Sequence, residues 1–374
     1  MKHSSQYISQ FYPYEIPLSN KRLLKPKKKT FSFDIVEFVH SKLFHYSNKV
    51  VKKPVSNTDI CEAIFLLFLN SDFLLADKES FKKTKTLFTK QFMYFVKRKK
   101  PIEFNATQFA FKIPNPLKIR RTLPDLGELA FLSQLNDITQ LIKQIYAPGG
   151  VIYIYGESYI FYKVVGISRK EASEYFKTIK EWINTLGWQN SLQLFDLSKL
   201  EKKVPKFKIE ILKNKKIIRD GLKNKDLDTL DMISQVKDTL YTSINTRGYS
   251  LFRLMDIYNH ELKKPSLSKI RNVLSKKSFN KSIPYTAYHQ SINTSGLSSH
   301  LFPNSIKLSF TMGEKKLNLY PISRDARLYC YHGVPILKKN GKVIIRYEID
   351  VLRNSKYIPY YIKNEKYPFF YQEY

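Results

Sequence analysis

The chain has 374 residues, with 64 lysines and arginines against 32 aspartates and glutamates, a net charge of +32. Its apolar share of 43% excludes disorder over most of its length, and its longest apolar run, Ala63 to Leu69, is too short to span a bilayer. Two cysteines, Cys61 and Cys330, lie far apart and exclude both a disulfide framework and a zinc-ligand spacing.

The charge fits three partners. Nucleic acid is one, an anionic small substrate is another, and the third is simply water over a basic surface. The lysines are spread along the whole chain, which favours the last. The N-terminus has no apolar core of a secretory leader. A cytoplasmic protein with reduced cysteines and no membrane partner is therefore expected.

In chain order, residues 1–30 read as a basic flexible arm ending in Lys25-Pro26-Lys27-Lys28-Lys29. Residues 31–100 read as a helical N-terminal region. Apolar residues recur at helical spacing from Phe31 to Tyr46, Asp59 and Glu62 look like a capping box before Ile60 to Phe68, and a further helix is predicted over Lys78 to Lys99. Residues 101–374 form the remaining domain. A short strand is predicted at Phe109 to Ile113, and Pro114 and Pro116 forbid a helix directly after it. Leu129, Leu132, Leu135, Ile138, Ile142 and Ile145 predict a buried helix from Glu128 to Tyr146, ended by Pro148-Gly149-Gly150.

Val151 to Tyr155 and Tyr159 to Val165 read as strands around Gly156-Glu157-Ser158. Ser168 and Glu171 form a capping box for a helix whose face carries Ala172, Tyr175, Phe176, Ile179, Trp182 and Ile183, with Gly187 closing it. Leu192 to Leu197 is a further strand. Strand, helix and strand in this order predict a largely parallel sheet with crossover helices. Residues 200–245 read as basic helices, the best candidate for a face that meets a polyanion. Short strands follow at Ile306 to Phe310, Leu317 to Tyr320, Leu328 to Tyr331 and Val334 to Leu337. Asn340-Gly341 signals a hairpin, and the aromatic stretch from Tyr357 to Tyr374 is expected to pack on the body.

No phosphate loop, dinucleotide fingerprint, zinc motif or nucleophile elbow is present. What remains are acids and bases in loops. Asp125 and Glu128 flank a glycine where a helix begins, as a helix cap or as a catalytic pair. Arg247 precedes an apolar-periodic run and suits either a phosphate clamp or a surface salt bridge. His332 stands beside Gly333 at a strand end, as a proton shuttle or a structural histidine.

The blocks KIPNPLKIRRTLPDLGE (Lys112 to Glu128), YAPGGVIYIYGESYIFYKVVGIS, FPNSIKLSF and CYHG resemble, in order and spacing, the pyoverdine/dityrosine biosynthesis family, the isocyanide (isonitrile) synthases. The resemblance is strongest over residues 112–186 and weaker over 246–257 and 302–347. It implies an α/β fold with a Rossmann-like core sheet and crossover helices, here joined to a helical N-terminal region and a β-rich C-terminal part. It also implies a reaction, in which the amine of tyrosine or tryptophan becomes an isocyanide. Ribulose 5-phosphate supplies the carbon as co-substrate, without metal or redox cofactor, in siderophore- or pyoverdine-type secondary metabolism. On this reading Asp125, Glu128, Glu157 and His332 handle protons. Lys112, Lys118, Arg247 and Lys307 bind the phosphate and the α-carboxylate, and Asn115 hydrogen-bonds substrate.

The chain also departs from the family pattern. Gly156-Glu157-Ser158 stands where the family typically reads Ser-Asp-Gly, Lys163 replaces an acid, and Ser309-Phe310-Thr311 lacks a histidine. Tyr329 to Gly333 keeps only the His-Gly of Thr-Pro-Trp-His-Gly. Three readings follow: a divergent synthase, a relative with another substrate, or a lapsed enzyme that binds a polyanion such as nucleic acid.

Overall fold

The computed structural model describes residues 28–43, 45–46, 54–109, 112, 119–156, 162, 167–196, 204, 206–237, 240, 267–294, 301–310, 313, 315–326 and 328–373. Its centre is a five-stranded parallel sheet. The strands are β2 (Ile102–Phe109), β3 (Gly150–Gly156), β4 (Leu192–Asp196), β5 (Ile306–Ser309) and β6 (Leu317–Asn318), in the order β4-β3-β2-β5-β6. From β2 the chain steps outward to β3 and β4, then returns to β5 on the other side. This reversal makes a crevice at the carboxyl ends of β2 and β5, the place where open α/β sheets bind ligands.

Both faces of this sheet are covered, as a parallel sheet requires. Ile152 and Ile154 of β3 join the main core, while Tyr155 packs with Phe207 and Tyr288 in a separate cluster on the opposite face. Helix α5 (Leu126–Ile145) carries the first side, and nearly all of its residues are buried. Helix α6 (Arg169–Thr185) lies beside it. Helices α7 (Lys206–Lys223) and α8 (Leu267–Thr294) cover the second side.

The N-terminal helices are α1 (Ile35–Lys42), α2 (Asn57–Leu69), α3 (Lys78–Lys82) and α4 (Lys85–Val96). Their apolar faces, Phe65, Phe68, Phe92 and Phe95 among them, join the same core as the sheet. The expected helix over Lys78 to Lys99 is thus two, broken at Lys83 and Thr84. The capping box of α2 is Ser56 with Asp59, one turn before the expected pair, and Glu62 instead pairs with Lys85 at 2.8 Å.

A second, mixed sheet holds β1 (Lys29–Phe31), β7 (Val334–Leu337), β8 (Val343–Arg346), β9 (Tyr357–Ile362) and β10 (Phe370–Glu373), in the order β1-β9-β10-β7-β8. β1 runs parallel to β9, so Lys29 and Thr30 belong to a sheet rather than to an arm. The β7–β8 hairpin forms as read, with Gly341 at φ +78° closing a three-residue loop between Lys338 and Lys342. Leu328 to Tyr331 is not a strand. Cys330–His332 forms a 3-10 turn that leads into β7. A five-residue helix, α9 (Glu348–Leu352), follows β8.

Two strand expectations need correction. β2 ends where the predicted Phe109 strand begins, because Glu103, Asn105 and Thr107 alternate with Phe104 and Ala106 and mask the apolar pattern. β3 does not turn back on itself: it has parallel partners on both edges, which leaves no edge for a hairpin strand. Of Tyr159 to Val165, only Tyr162 lies within the described residues, and it is helical.

Candidate active site

The β2-to-α5 crossover passes the carboxyl end of β2 and brings three ionisable side chains together. Lys112 follows β2, and Asp125 and Glu128 open α5. The Lys112 Nζ lies 2.5 Å from Asp125 Oδ2 and 3.0 Å from Glu128 Oε2, and donates to the Cys330 carbonyl at 3.2 Å. All three side chains are 0–1% exposed.

The helix start explains why the acids sit there. Asp125 is the N-cap and accepts the Gly127 N–H at 2.8 Å. Glu128 reaches back to the Asp125 N–H at 2.9 Å, completing a capping box. The capping and cationic roles coincide: Asp125 gives Oδ1 to the backbone and Oδ2 to Lys112, whereas Glu128 Oε2 accepts from both the Asp125 N–H and Lys112. The remaining Glu128 oxygen, Oε1, accepts the Tyr175 hydroxyl of α6 at 3.0 Å. Gly127 makes the close approach possible, since a Cβ there would stand 3.2 Å from the Cys330 Cβ.

The loop before α5 is shaped by arginines. Arg121 donates to the carbonyls of Leu123, Pro124 and Tyr367 and pairs with Glu365. Arg120 grips the buried Glu348 of α9 through its guanidinium at 2.8 and 2.9 Å and its own N–H at 2.7 Å. The α5 start is also held by the Leu126 N–H, which donates to the Phe369 carbonyl beside β10 at 3.3 Å. The second sheet is thus a brace for the site.

Burial sets the electrostatics. One cation and two carboxylates, taken out of water together, would leave a net negative charge in a dry site. Burial therefore pushes the Asp125 carboxyl well above the ordinary carboxylate range, even though Lys112 pulls it down. Burial alone would lower the Lys112 ammonium, but Asp125 and Glu128 outweigh it and hold it above its usual value. The Tyr175 hydroxyl and the Cys330 thiol are both driven up, chiefly by burial and then by Glu128. Burial and the neighbouring Glu128 thus favour the protonated form of Asp125, while the lysine beside it favours the carboxylate.

The other expected site residues are placed as follows. His332 is half-buried two residues after Cys330, its ring 4.5 Å from that of Tyr331. Tyr331 stacks on Tyr329 at 5.3 Å, and the Tyr329 hydroxyl donates to the Phe310 carbonyl at the end of β5. His332 thus joins the turn that completes the cluster. Lys307 is exposed in β5, while Ile306 and Leu308 on either side of it enter the core packed on α5. The cluster does not include it. Lys112, expected to meet a substrate anion, has the protein's own carboxylates as its partners instead. Asn115, Lys118, Glu157 and Arg247 lie outside the described residues.

Tyr175 and Cys330 are the members the sequence did not single out. Tyr175 sits in the apolar stripe of α6, where nothing marks its hydroxyl as polar cargo. Among the described residues no group of three or more His, Cys, Asp or Glu is arranged to hold a metal ion. No helix among them is long and apolar enough to cross a membrane.

Comparison with known proteins places the chain. The sequence model of the family described as pyoverdine/dityrosine biosynthesis protein matches residues 92–357. The L-tryptophan isonitrile synthase AmbI2 of Fischerella ambigua is 27% identical over 217 residues, covering 58% of this chain and 61% of that protein. An L-tyrosine isonitrile synthase of Xenorhabdus nematophila is 25% identical over 257 residues, 67% of this chain and 72% of that one. The chain thus matches somewhat under two thirds of the length of the first relative and somewhat over two thirds of the second. The crystal structure of the PvcA protein from Pseudomonas aeruginosa shares the fold with a TM-score of 0.65 at 20% identity, over 85% of this chain and 100% of that one.

Proposed function

Because the chain belongs to the pyoverdine/dityrosine biosynthesis protein family, we propose that it is an isocyanide (isonitrile) synthase acting on an aromatic amino acid, tyrosine or tryptophan, with ribulose 5-phosphate as carbon donor. The observation that carries this reading is the Lys112–Asp125–Glu128 cluster beside the crevice of a Rossmann-like sheet. Such a reaction begins with an amine adding to a ketone. A C–N bond forms, water leaves, and protons must reach the departing oxygen and leave the nitrogen. A carboxyl whose pKa is raised by burial, as that of Asp125 is, can donate the first, and a carboxylate can accept the second.

In the proposed mechanism Asp125 donates and Glu128 accepts. Lys112 balances the charge that shifts between them, and Tyr175 holds Glu128 in place. His332 shuttles protons from the adjoining turn, and Glu157 is a further acid. Arg247 and Lys118 bind the sugar phosphate and the α-carboxylate, Lys307 supplements them, and Asn115 hydrogen-bonds substrate. The product is a building block of siderophore- or pyoverdine-type secondary metabolites. The test is to incubate the protein with each aromatic amino acid and ribulose 5-phosphate and scan the products by mass. An isocyanide from one of them, abolished by Asp125→Asn, is expected. Failure of the folded protein to form one from any of them sinks the reading.

A further inference from the structure

Nine large apolar side chains are exposed among the described residues, and six of them fall in one helical unit. Ile209, Leu212 and Ile217 lie on α7, Leu227 and Leu230 on the helical residues 227–237, and Phe279 on α8. Such clustering is unlike the scattered exposed residues of an ordinary surface. The unit has its own inner packing. Ile218 of α7 meets Ile233 and Ala287, and the Asn214 amide donates to the Ser291 hydroxyl at 2.9 Å. The inner face of α7 is therefore already occupied.

Its outer face is a mixed strip. Ile209, Leu212 and Ile217 are 63%, 68% and 52% exposed. Ile209 and Leu212 are three residues apart, and Lys213 lies four from both Ile209 and Ile217, so all are neighbours on the helix surface. Lys208, Lys216 and Arg219 border them, also exposed. Lys213 reaches toward Glu210 at 3.8 Å, and Asp220 is the one acid exposed on α7.

We propose that this outer face of α7 docks on an anionic lipid surface. Nucleic acid would satisfy the lysines but leave the aliphatic side chains without partners, and α7 itself exposes no aromatic ring for a base to stack on, Phe279 being on α8. Protein interfaces are depleted in lysine and enriched in aromatics, the reverse of this composition. A second copy would set like charge against like. An anionic bilayer takes both halves of the pattern. The aliphatic tips sink below the headgroups, the lysine stems lie alongside them, and the ammonium groups stay at the lipid phosphates. The strip lies on the surface rather than spanning it, and it gives the basic stretch after residue 200 a role that the expected absence of a membrane partner did not.

The test uses the full chain in vesicle co-sedimentation. Binding to vesicles of phosphatidylglycerol and phosphatidylcholine in equal parts is expected, with none to phosphatidylcholine alone and a steep loss with added salt. The charge-preserving double variant Ile209→Ser/Leu212→Ser should weaken binding by roughly tenfold or more, with unchanged circular dichroism. Lys208→Glu/Lys216→Glu should weaken it as well. Absence of binding to the anionic vesicles overturns the proposal. So does a serine variant that binds them as its parent does, and if RNA or duplex DNA binding then depends on Lys208 and Lys216 the face belongs to nucleic acid.

Discussion

Replacing Lys112 with methionine isolates the work of the buried cation. Methionine keeps most of the side-chain volume, so the packing loss stays below about 1.5 kcal/mol. The substitution removes an ammonium 2.5 Å from Asp125 and 3.0 Å from Glu128, together with the donor to the Cys330 carbonyl. Breaking a buried charge set by deleting one partner costs about 3–5 kcal/mol, so the electrostatic loss outweighs the packing loss at least twofold. The sign with pH follows from Asp125. Burial already holds its folded pKa above the unfolded value, and losing the cation raises it further. A raised pKa stabilises the fold in acid, and that contribution fades as pH rises through the folded value. The deficit of the variant should therefore be small near the ordinary carboxylate range and largest at neutral pH. Urea denaturation followed by the fluorescence of Trp182 and Trp188, at acid and neutral pH, measures it. Adding Glu128→Gln should recover a large part of the loss. A Lys112→Met protein within about 1 kcal/mol of its parent at neutral pH would refute the reasoning, because a desolvated charge cluster cannot lose its cation so cheaply.

Three further outcomes follow from the same geometry. Tyr175→Phe deletes the hydroxyl on Glu128 and should cost about 1.5–3 kcal/mol, and it should displace the pH profile of isocyanide formation; an unmoved profile would reduce Tyr175 to a packing role. Gly333→Ala drives a Cβ into the Arg346 carbonyl oxygen and to 2.7 Å from Ile345 Cγ2, forcing the His332 turn away from β8. About 1–3 kcal/mol of lost stability and a lower isocyanide yield are expected, and a variant matching its parent in both would show that the turn has slack. His45 ties the end of α1 to Asp137 of α5 at 3.1 Å, and that hydrogen bond raises its pKa above 6.5. Its contribution is full below the unfolded value and is lost as pH rises through the folded one. His45→Gln should therefore lose up to about 1 kcal/mol in mild acid and almost nothing in alkali, as equilibrium denaturation at the two pH values would show.

Much of the scaffold is legible in local chemistry. The Ser168 and Asp125 caps, the Asn340-Gly341 turn and the α5 stripe are each decided within a few residues, and they stand where the sequence puts them. β2 is harder to read, because a strand central to a sheet is usually apolar and this one alternates Phe104 and Ala106 with polar residues, among them the buried Asn105. The site shows a sharper limit. Asp125 and Glu128 are recognisable as a pair because a capping box is a local motif. That Lys112 serves them, rather than a bound phosphate, depends on a loop returning over thirteen residues and on the Cys330 carbonyl from far downstream. Tyr175 is invisible for a related reason. A tyrosine in an apolar stripe looks the same whether its hydroxyl meets water or a buried carboxylate.

The bracing of α5 by the second sheet also bears on how the protein is made. Leu126 is held by the carbonyl of Phe369, Glu348 anchors Arg120, and β1 pairs with β9. These contacts join residues separated by more than two hundred positions, the kind of pairing that comes late in folding. During synthesis, residues 102–196 can assemble three adjacent strands of the parallel sheet well before β9 and β10 leave the ribosome. In that interval the Asp125 carboxyl stands open to water, without the burial that raises its pKa in the finished fold. That burial is completed last, when the final strands arrive, so a nascent or truncated chain would carry the parallel strands without the closed Lys112–Asp125–Glu128 cluster.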